Sequence, residues 1–321
     1  MRTRVFVIAF VTGISAVVGS ANWVYKGTWG NPGTGDGQFR DPFGVDVAPN
    51  GNVYVAEYRN NRVQYFTSTG SFLGKWGIEG AGEREFDLPR GLAIAANGTV
   101  YVTEVGNDRV QFFTATGSFL GQWGSKGEGP GQFFNPSGIA FGPNGTVYVV
   151  DCGNDRVQYF TSTGSYLGQW GSSGEGNGQF LAAEGIAVDA ANTVFVSDTV
   201  LDRVQYFSAS GTYLGEWGSS GSGAGLLDWP LYIAIRSDGT VYVNDVNNAR
   251  VQYFSNTGSY LGQFGSGGSG EGEFLSQSGI AFGPNGCVYI AETINERIQY
   301  FAWENPAVEP SSLGRVKALF K

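Results

Sequence analysis

An arginine recurs in this chain at a fixed interval, as Arg62, Arg109, Arg156, Arg203, Arg250 and Arg297, each 47 residues after the last. Five residues before each stands an acid: Glu57, Glu104, Asp151, Asp198, Asp245 and Glu292. Six regularly spaced carboxylates could in principle hold metal ions. Matched one to one with arginines, they are instead expected to form structural ion pairs, because a residue required in every copy of a repeat serves the copy itself. Removing one member of such a pair costs about 3 to 5 kcal/mol if it is buried and far less if it is exposed. The sequence contains no histidine, which excludes His-ligated zinc and any nucleophile activated by a histidine base. Glycine-rich stretches such as Gly127-Glu128-Gly129-Pro130-Gly131 lack the Lys-Ser or Lys-Thr ending and the following helix of a phosphate-binding loop. They are expected to link units of the fold, and neither a metal nor a cofactor is expected.

The elements that position these residues follow from the same interval. Around each arginine one phrase returns, GVDVAPNGNVYVAEYRNNRVQYFTSTGSFLGKWG in the first copy and GIAFGPNGTVYVVDCGNDRVQYFTSTGSYLGQWG in the third. Each copy divides into four short runs with period-2 alternation separated by turn residues. In the first copy the predicted strands are Gly44 to Ala48, Asn52 to Glu57, Arg62 to Phe66 and Ser71 to Trp76. Asn-Gly pairs at 50, 97, 144 and 285 and Asp238-Gly239 signal tight hairpins between the first two strands. A period near 45 with four strands per copy predicts an all-β, six-bladed β-propeller of four-stranded antiparallel blades. Trp76, Trp123, Trp170, Trp217 and Phe264 mark five fourth strands, and the sixth copy lacks one. Trp29, which lies 47 residues before Trp76, sits in a segment, Trp23 to Gly30, that reads like the others. The N-terminal strand is therefore expected to complete the last blade and close the ring, which leaves only short, protected edges.

The succession Gly-Gln-Phe, Pro, Gly-Ile-Ala-Phe, Asn-Gly-Thr-Val-Tyr-Val and Asn-Asp-Arg-Val-Gln-Tyr-Phe resembles the NHL repeat over residues 23 to 302. The resemblance implies a six-bladed ring. It does not imply one function, since relatives include extracellular lyases as well as RNA-binding and protein-binding modules. The zinc-dependent amidating-lyase chemistry of some relatives needs histidine ligands that this chain lacks. Calcium-dependent lactonase-type propellers gather acids and Asn in the central channel, whereas here the corresponding column is Ala93, Ala140, Ala187, Ala234 and Ala281, with Asp46 as its one carboxylate. A single acid is a poor cage for a cation that takes six to eight oxygens.

Net charge is -9, and the residues just before the arginines, Asn61, Asp108, Asp155, Asp202, Ala249 and Glu296, add four more acids. That sign disfavours RNA and anionic membranes. Residues 1–21, with Arg2 and Arg4, an apolar run from Val5 to Val18 and then Gly-Ser-Ala, read as a signal peptide. No later segment is apolar enough to span a membrane. The expected organisation is a signal peptide at 1–21, a propeller at 22–303 and a basic tail at 304–321, in a secreted, periplasmic or cell-envelope protein. Cys152 and Cys287 belong to different blades and are expected to stay unbonded.

The expected function is a binding or scaffold module that recognises a protein, or a glycan, through one propeller face. The alternative is a carboxylate- or calcium-dependent, lactonase-like hydrolase in the channel. The face is inferred from departures of the repeat from itself. The fourth copy has Val200-Leu201 where the others keep Asn, and the following loop carries Leu226, Leu227, Trp229, Leu231 and Tyr232, the last replacing a glycine. Apolar replacements in neighbouring loops suggest an interaction patch; the competing reading folds Trp229 and its neighbours inward to plug the channel. Arg40, Phe43, Tyr58 and Arg59 of the first copy, with Arg90 of the second, form a further candidate group. Oligomeric state is not legible.

Overall fold

Alternation of β-branched and aromatic residues with polar ones produces, in the computed structural model, six four-stranded antiparallel sheets. The structure describes residues 22–304. The signal-peptide reading of residues 1–21 and the tail beyond residue 304 therefore lie outside the described residues. In blade 1 the strands are Pro42–Val47, Val53–Glu57, Arg62–Phe66 and Phe72–Trp76. The inner strand starts two residues before the sequence expectation. It does so through an irregularity in register between Pro42 and Val45 that tolerates proline as its first residue. The inner strands of the other blades are Pro89–Ile94, Pro136–Phe141, Ala183–Val188, Pro230–Ile235 and Gln277–Phe282. No helix among the described residues is long and apolar enough to cross a membrane.

Blades are held to one another by the residues that recur. Each outer-strand aromatic packs on the third-strand phenylalanine of the next blade: Trp76 on Phe113 at 5.6 Å, Trp123 on Phe160 at 5.7 Å, Trp170 on Phe207 at 5.7 Å and Phe264 on Phe301 at 5.1 Å between ring centroids. The turn that receives each ring needs glycine. Gly117 has φ +85, and a Cβ there would lie 2.5 Å from the Trp76 ring. Second-strand tyrosines reach across as well, with the Tyr54 hydroxyl donating to the Ala115 carbonyl at 2.9 Å and Tyr101 to Ser162 at 3.0 Å.

The chain from Tyr25 to Ala302 forms one compact unit. The strand Asn22–Trp29 pairs with Arg297–Glu304, the third strand of blade 6, so the N-terminal segment supplies the fourth strand of the last blade. Thr28 Oγ1 donates to the Ile298 carbonyl at 2.8 Å, and Trp29 packs on Tyr300 of blade 6 and Phe66 of blade 1. The second unit comprises Met1–Val24 and Trp303–Lys321; among its described residues Trp23 and Trp303 meet edge to face at 5.4 Å.

Candidate interaction face and channel

Each acid–arginine pair is buried and ties down the glycine-rich loop that leads into its blade. Arg62 Nε donates to Glu57, while its terminal nitrogens donate to the carbonyls of Thr34, Gly35 and Gln38. Glu57 also accepts from the Arg40 backbone N–H and from the Asn60 amide, which in turn donates to the Gly33 carbonyl. Burial pushes the Glu57 carboxyl up, and Arg62 opposes the shift. The same arrangement recurs at Glu104–Arg109, Asp151–Arg156, Asp245–Arg250 and Glu292–Arg297. Blade 4 departs from it. Leu201 cannot donate where Asn60 does, Arg203 reaches Asp198 only at 3.4 Å, its Nε is buried without a partner, and its other end turns to Glu216.

In four blades the residue before the arginine links that blade to the next. Asn61, Asp108 and Asp202 accept the backbone N–H groups of Leu88, Asn135 and Trp229 in the next blade, at 2.9, 2.8 and 2.8 Å. Glu296 closes the series on Asp41 at 2.7 Å. Partial burial, with Asp41 and Glu57 nearby, raises the Glu296 carboxyl to about 7. Three of the four acids read from sequence only as repelling phosphate, Asp108, Asp202 and Glu296, are engaged as acceptors between blades.

Backbone bonds place the lead-in loops and the second-to-third strand loops on one face, here the upper face. Arg59 N–H donates to Arg40, Gly153 to Phe134, Thr199 to Ala182 and Thr293 to Ser276. On this face Trp229 is 45% exposed, in a left-handed backbone conformation at φ 60, and Val200 is 49% exposed. Leu226 is exposed over its own loop glycines, and Leu201 is half-buried. Three residues of the candidate patch are not on the surface. Leu227 is fully buried because it occupies the column filled elsewhere by Phe39, Phe86, Phe133, Phe180 and Phe274, all buried. Leu231 and Tyr232 are buried where the inner strand begins. Of these three only Tyr232 borders the channel, while Leu227 packs into the core with Trp217 and Phe254, and Trp229 stays on the surface. Sequence reasoning missed four exposed residues of the same face: Phe134, Leu181, Leu275 and Ile294, the last 66% exposed. Their signal was available, since they share columns with Arg40 and with Val200 and Arg59.

The second candidate group separates into two parts. Arg40 and Arg59 are exposed at blade 1, with Arg59 paired to Asp41. Phe43, Tyr58, Arg90 and Tyr232 gather over the channel. The Arg90 guanidinium lies 4.8 Å from the Phe43 ring centroid, and Phe43 meets Tyr58 at 5.9 Å and Tyr232 at 5.8 Å. Glu184, two blades away, pairs with Arg90 at 2.9 Å, and the Cys152 thiol approaches Glu184 at 3.6 Å. Burial pushes the Cys152 thiol and the Tyr232 hydroxyl up. Below this cluster runs a lumen of about 260 Å³, lined by the alanine column, by aliphatic side chains, by Phe141, Phe282 and Tyr232, and by Asp46. Asp46 accepts from the backbone N–H groups of Val47 and Ile94, and burial raises its carboxyl to about 6. Among the described residues no group of three or more His, Cys, Asp or Glu side chains could hold a metal.

Comparison with known proteins bears on this geometry. The NHL repeat model matches residues 39–66 and 133–160, which in both copies run from the buried lead-in phenylalanine to the end of the third strand. The chain carries NHL repeats in a six-bladed propeller. The NHL propeller is 46% identical over 46 residues to Protein lin-41 of Caenorhabditis elegans, a match covering 14% of this chain and 4% of that protein. Its fold is that of solved propellers with little sequence in common. A streptogramin B lyase superposes with a TM-score of 0.62 at 15% identity, covering 88% of this chain and 98% of that one. A gluconolactonase from Xanthomonas campestris gives 0.63 at 13%, covering 89% and 98%. A chain of a nidogen/laminin complex gives 0.57 at 15%, covering 78% and 85%.

Proposed function

We propose that this NHL propeller is a binding module that takes a protein partner on its upper face, over blades 3 to 6. The observation that carries the reading is the exposure there of Phe134, Leu181, Val200, Trp229, Leu275 and Ile294. Large apolar side chains gathered on one face mark interaction surfaces more often than accidents, and tryptophan is a favoured anchor. Trp229 is held out by a backbone bond to Asp202 in a left-handed conformation, so its position is fixed before a partner arrives. A lyase, a lactonase and a nidogen/laminin complex share the fold, so fold alone does not choose. Against the hydrolase alternative, Asp46 is the one carboxylate among the described residues lining the lumen. The signal-peptide-like segment places the partner, in this proposal, in the cell envelope or outside the cell.

The test is capture from an envelope fraction with wild-type protein, with Trp229→Ser/Val200→Ser, and with Leu167→Ser as a control. Blade 6 already carries serine, as Ser276, at the Trp229 position, and Leu167 is exposed on an outer strand away from the upper face. A partner retained by wild type and the control, and lost by the double variant at unchanged Tm, supports the reading. Equal retention by all three refutes it.

A further inference from the structure

The channel of this ring is blind. At its upper end Phe43, Arg90, Glu184 and Tyr232, from four different blades, interlock across the axis through the cation–π contact, the ion pair and the ring contact described above. Phe43, Arg90 and Glu184 stand before the lumen-lining part of their strands, and only Tyr232 also borders the lumen. At the other end Asp46, Ile94, Ile235 and Phe282 line both the lumen and a second cavity framed by the first-to-second strand turns, including Pro49, Ser237 and Pro284. The bore therefore opens towards the lower face, opposite the proposed partner surface.

One polar side chain, Asp46, meets a bore otherwise lined by alanine, branched aliphatic and aromatic side chains. Tyr232, 9% exposed, replaces the glycine of the other five blades and closes the upper end, with its hydroxyl enclosed beside Arg90 and Glu184. Asp46 replaces the alanine of the other five, and no ion pair joins it to a cationic side chain among the described residues. A buried charge without a counter-ion carries a desolvation cost that a suitably shaped cationic guest removes.

We propose that the lumen binds a small apolar amine that enters from the lower face and sets its ammonium against Asp46. At about 260 Å³ the site is close to the lower limit of about 300 Å³ for ligand cavities, which restricts the guest to a single ring or short chain. Alanine around the bore supplies the width, and the ring of isoleucine and leucine supplies the apolar contact.

Tyramine, phenethylamine and phenylpropionate serve as probes, with binding followed by calorimetry and by the methyl signals of labelled alanine in the intact protein. Saturable tyramine binding that shifts the methyls of Ala93, Ala140, Ala187, Ala234 and Ala281 is expected, with phenylpropionate inert. Asp46→Asn, which keeps an acceptor but removes the charge, weakens both amines by about tenfold or more. Ala187→Leu, which fills the bore without touching Asp46, abolishes binding and guards against misfolding of the other variant. Absence of saturable binding by both amines, or equal affinity in wild type and folded Asp46→Asn, overturns the proposal, as does binding that leaves the alanine methyls unmoved. Loss of the upper-face partner in Trp229→Ser does not bear on this result, so the two readings fail separately.

Discussion

Replacing Leu201 by asparagine should stabilise the ring, and the size of the effect follows from its five sister blades. There the asparagine amide donates to a loop carbonyl and to the paired carboxylate, as Asn107 does to Gly80 at 2.9 Å and to Glu104 at 2.6 Å. A bond between neutral groups contributes about 1 kcal/mol and one to a charged group about 1.5 to 3. Against this stands the loss of a half-buried leucine, about 1 to 1.5 kcal/mol of apolar transfer. The net gain is about 1 to 3 kcal/mol, and Arg203 regains a closer contact with Asp198. For a domain of this size that is a rise in Tm of about 2 to 12 °C. Differential scanning calorimetry of Leu201→Asn beside the reverse change, Asn107→Leu, measures both directions. A Leu201→Asn protein that melts at or below wild type, or an Asn107→Leu protein that melts as high, refutes the assignment of the asparagine as a shared clamp. If Leu201 is retained for the upper face, the stabilised variant binds its partner more weakly.

Other outcomes are expected from the same geometry. Glu296 is raised above its unfolded value, so its contribution is present at low pH and lost as pH rises from about 4.5 through about 7; Glu296→Gln should flatten the decline in stability measured by urea titration across that same interval, and an unchanged slope counts against it. A chain starting at Gly35 lacks the strand Asn22–Trp29, leaves an unpaired strand edge on blade 6, and should aggregate or melt without cooperativity; light scattering and calorimetry decide, and melting like wild type would defeat the closure. Cys152 and Cys287 are free, partly buried thiols raised by burial, so both should alkylate readily in denaturant without reductant and only slowly when folded; fast native labelling of Cys152 would contradict its enclosure.

The 47-residue interval made blade number, strand content and ring closure readable, because Trp29 stands in register with Trp76 and no insertion blurs the count. Where a departure from the repeat was read as surface, the outcome depended on the column. Val200 and Trp229 sit in exposed columns, whereas Leu227 exchanges one buried apolar side chain for another. The Arg90–Glu184 pair was not legible, since its members lie 94 residues apart and meet only because alternate blades face each other across the axis. Asp108 and Asp202 hid their role for a related reason. Their carboxylates serve N–H groups 27 residues onward in a different blade, a spacing that no local motif expresses.

Because the strand Asn22–Trp29 lies against Arg297–Glu304, and Trp23 meets Trp303, the beginning and end of the folded chain are side by side. The ring is thus a belt whose buckle is a single pair of strands. Splicing residue 304 to residue 22 through a short linker would turn the belt into a hoop, and the entropy then denied to the unfolded chain amounts to about 5 kcal/mol for a loop of this length. The hoop could be cut at any of the five intact third-to-fourth strand turns, moving the buckle from blade to blade and allowing the strength of each inter-blade joint to be weighed separately.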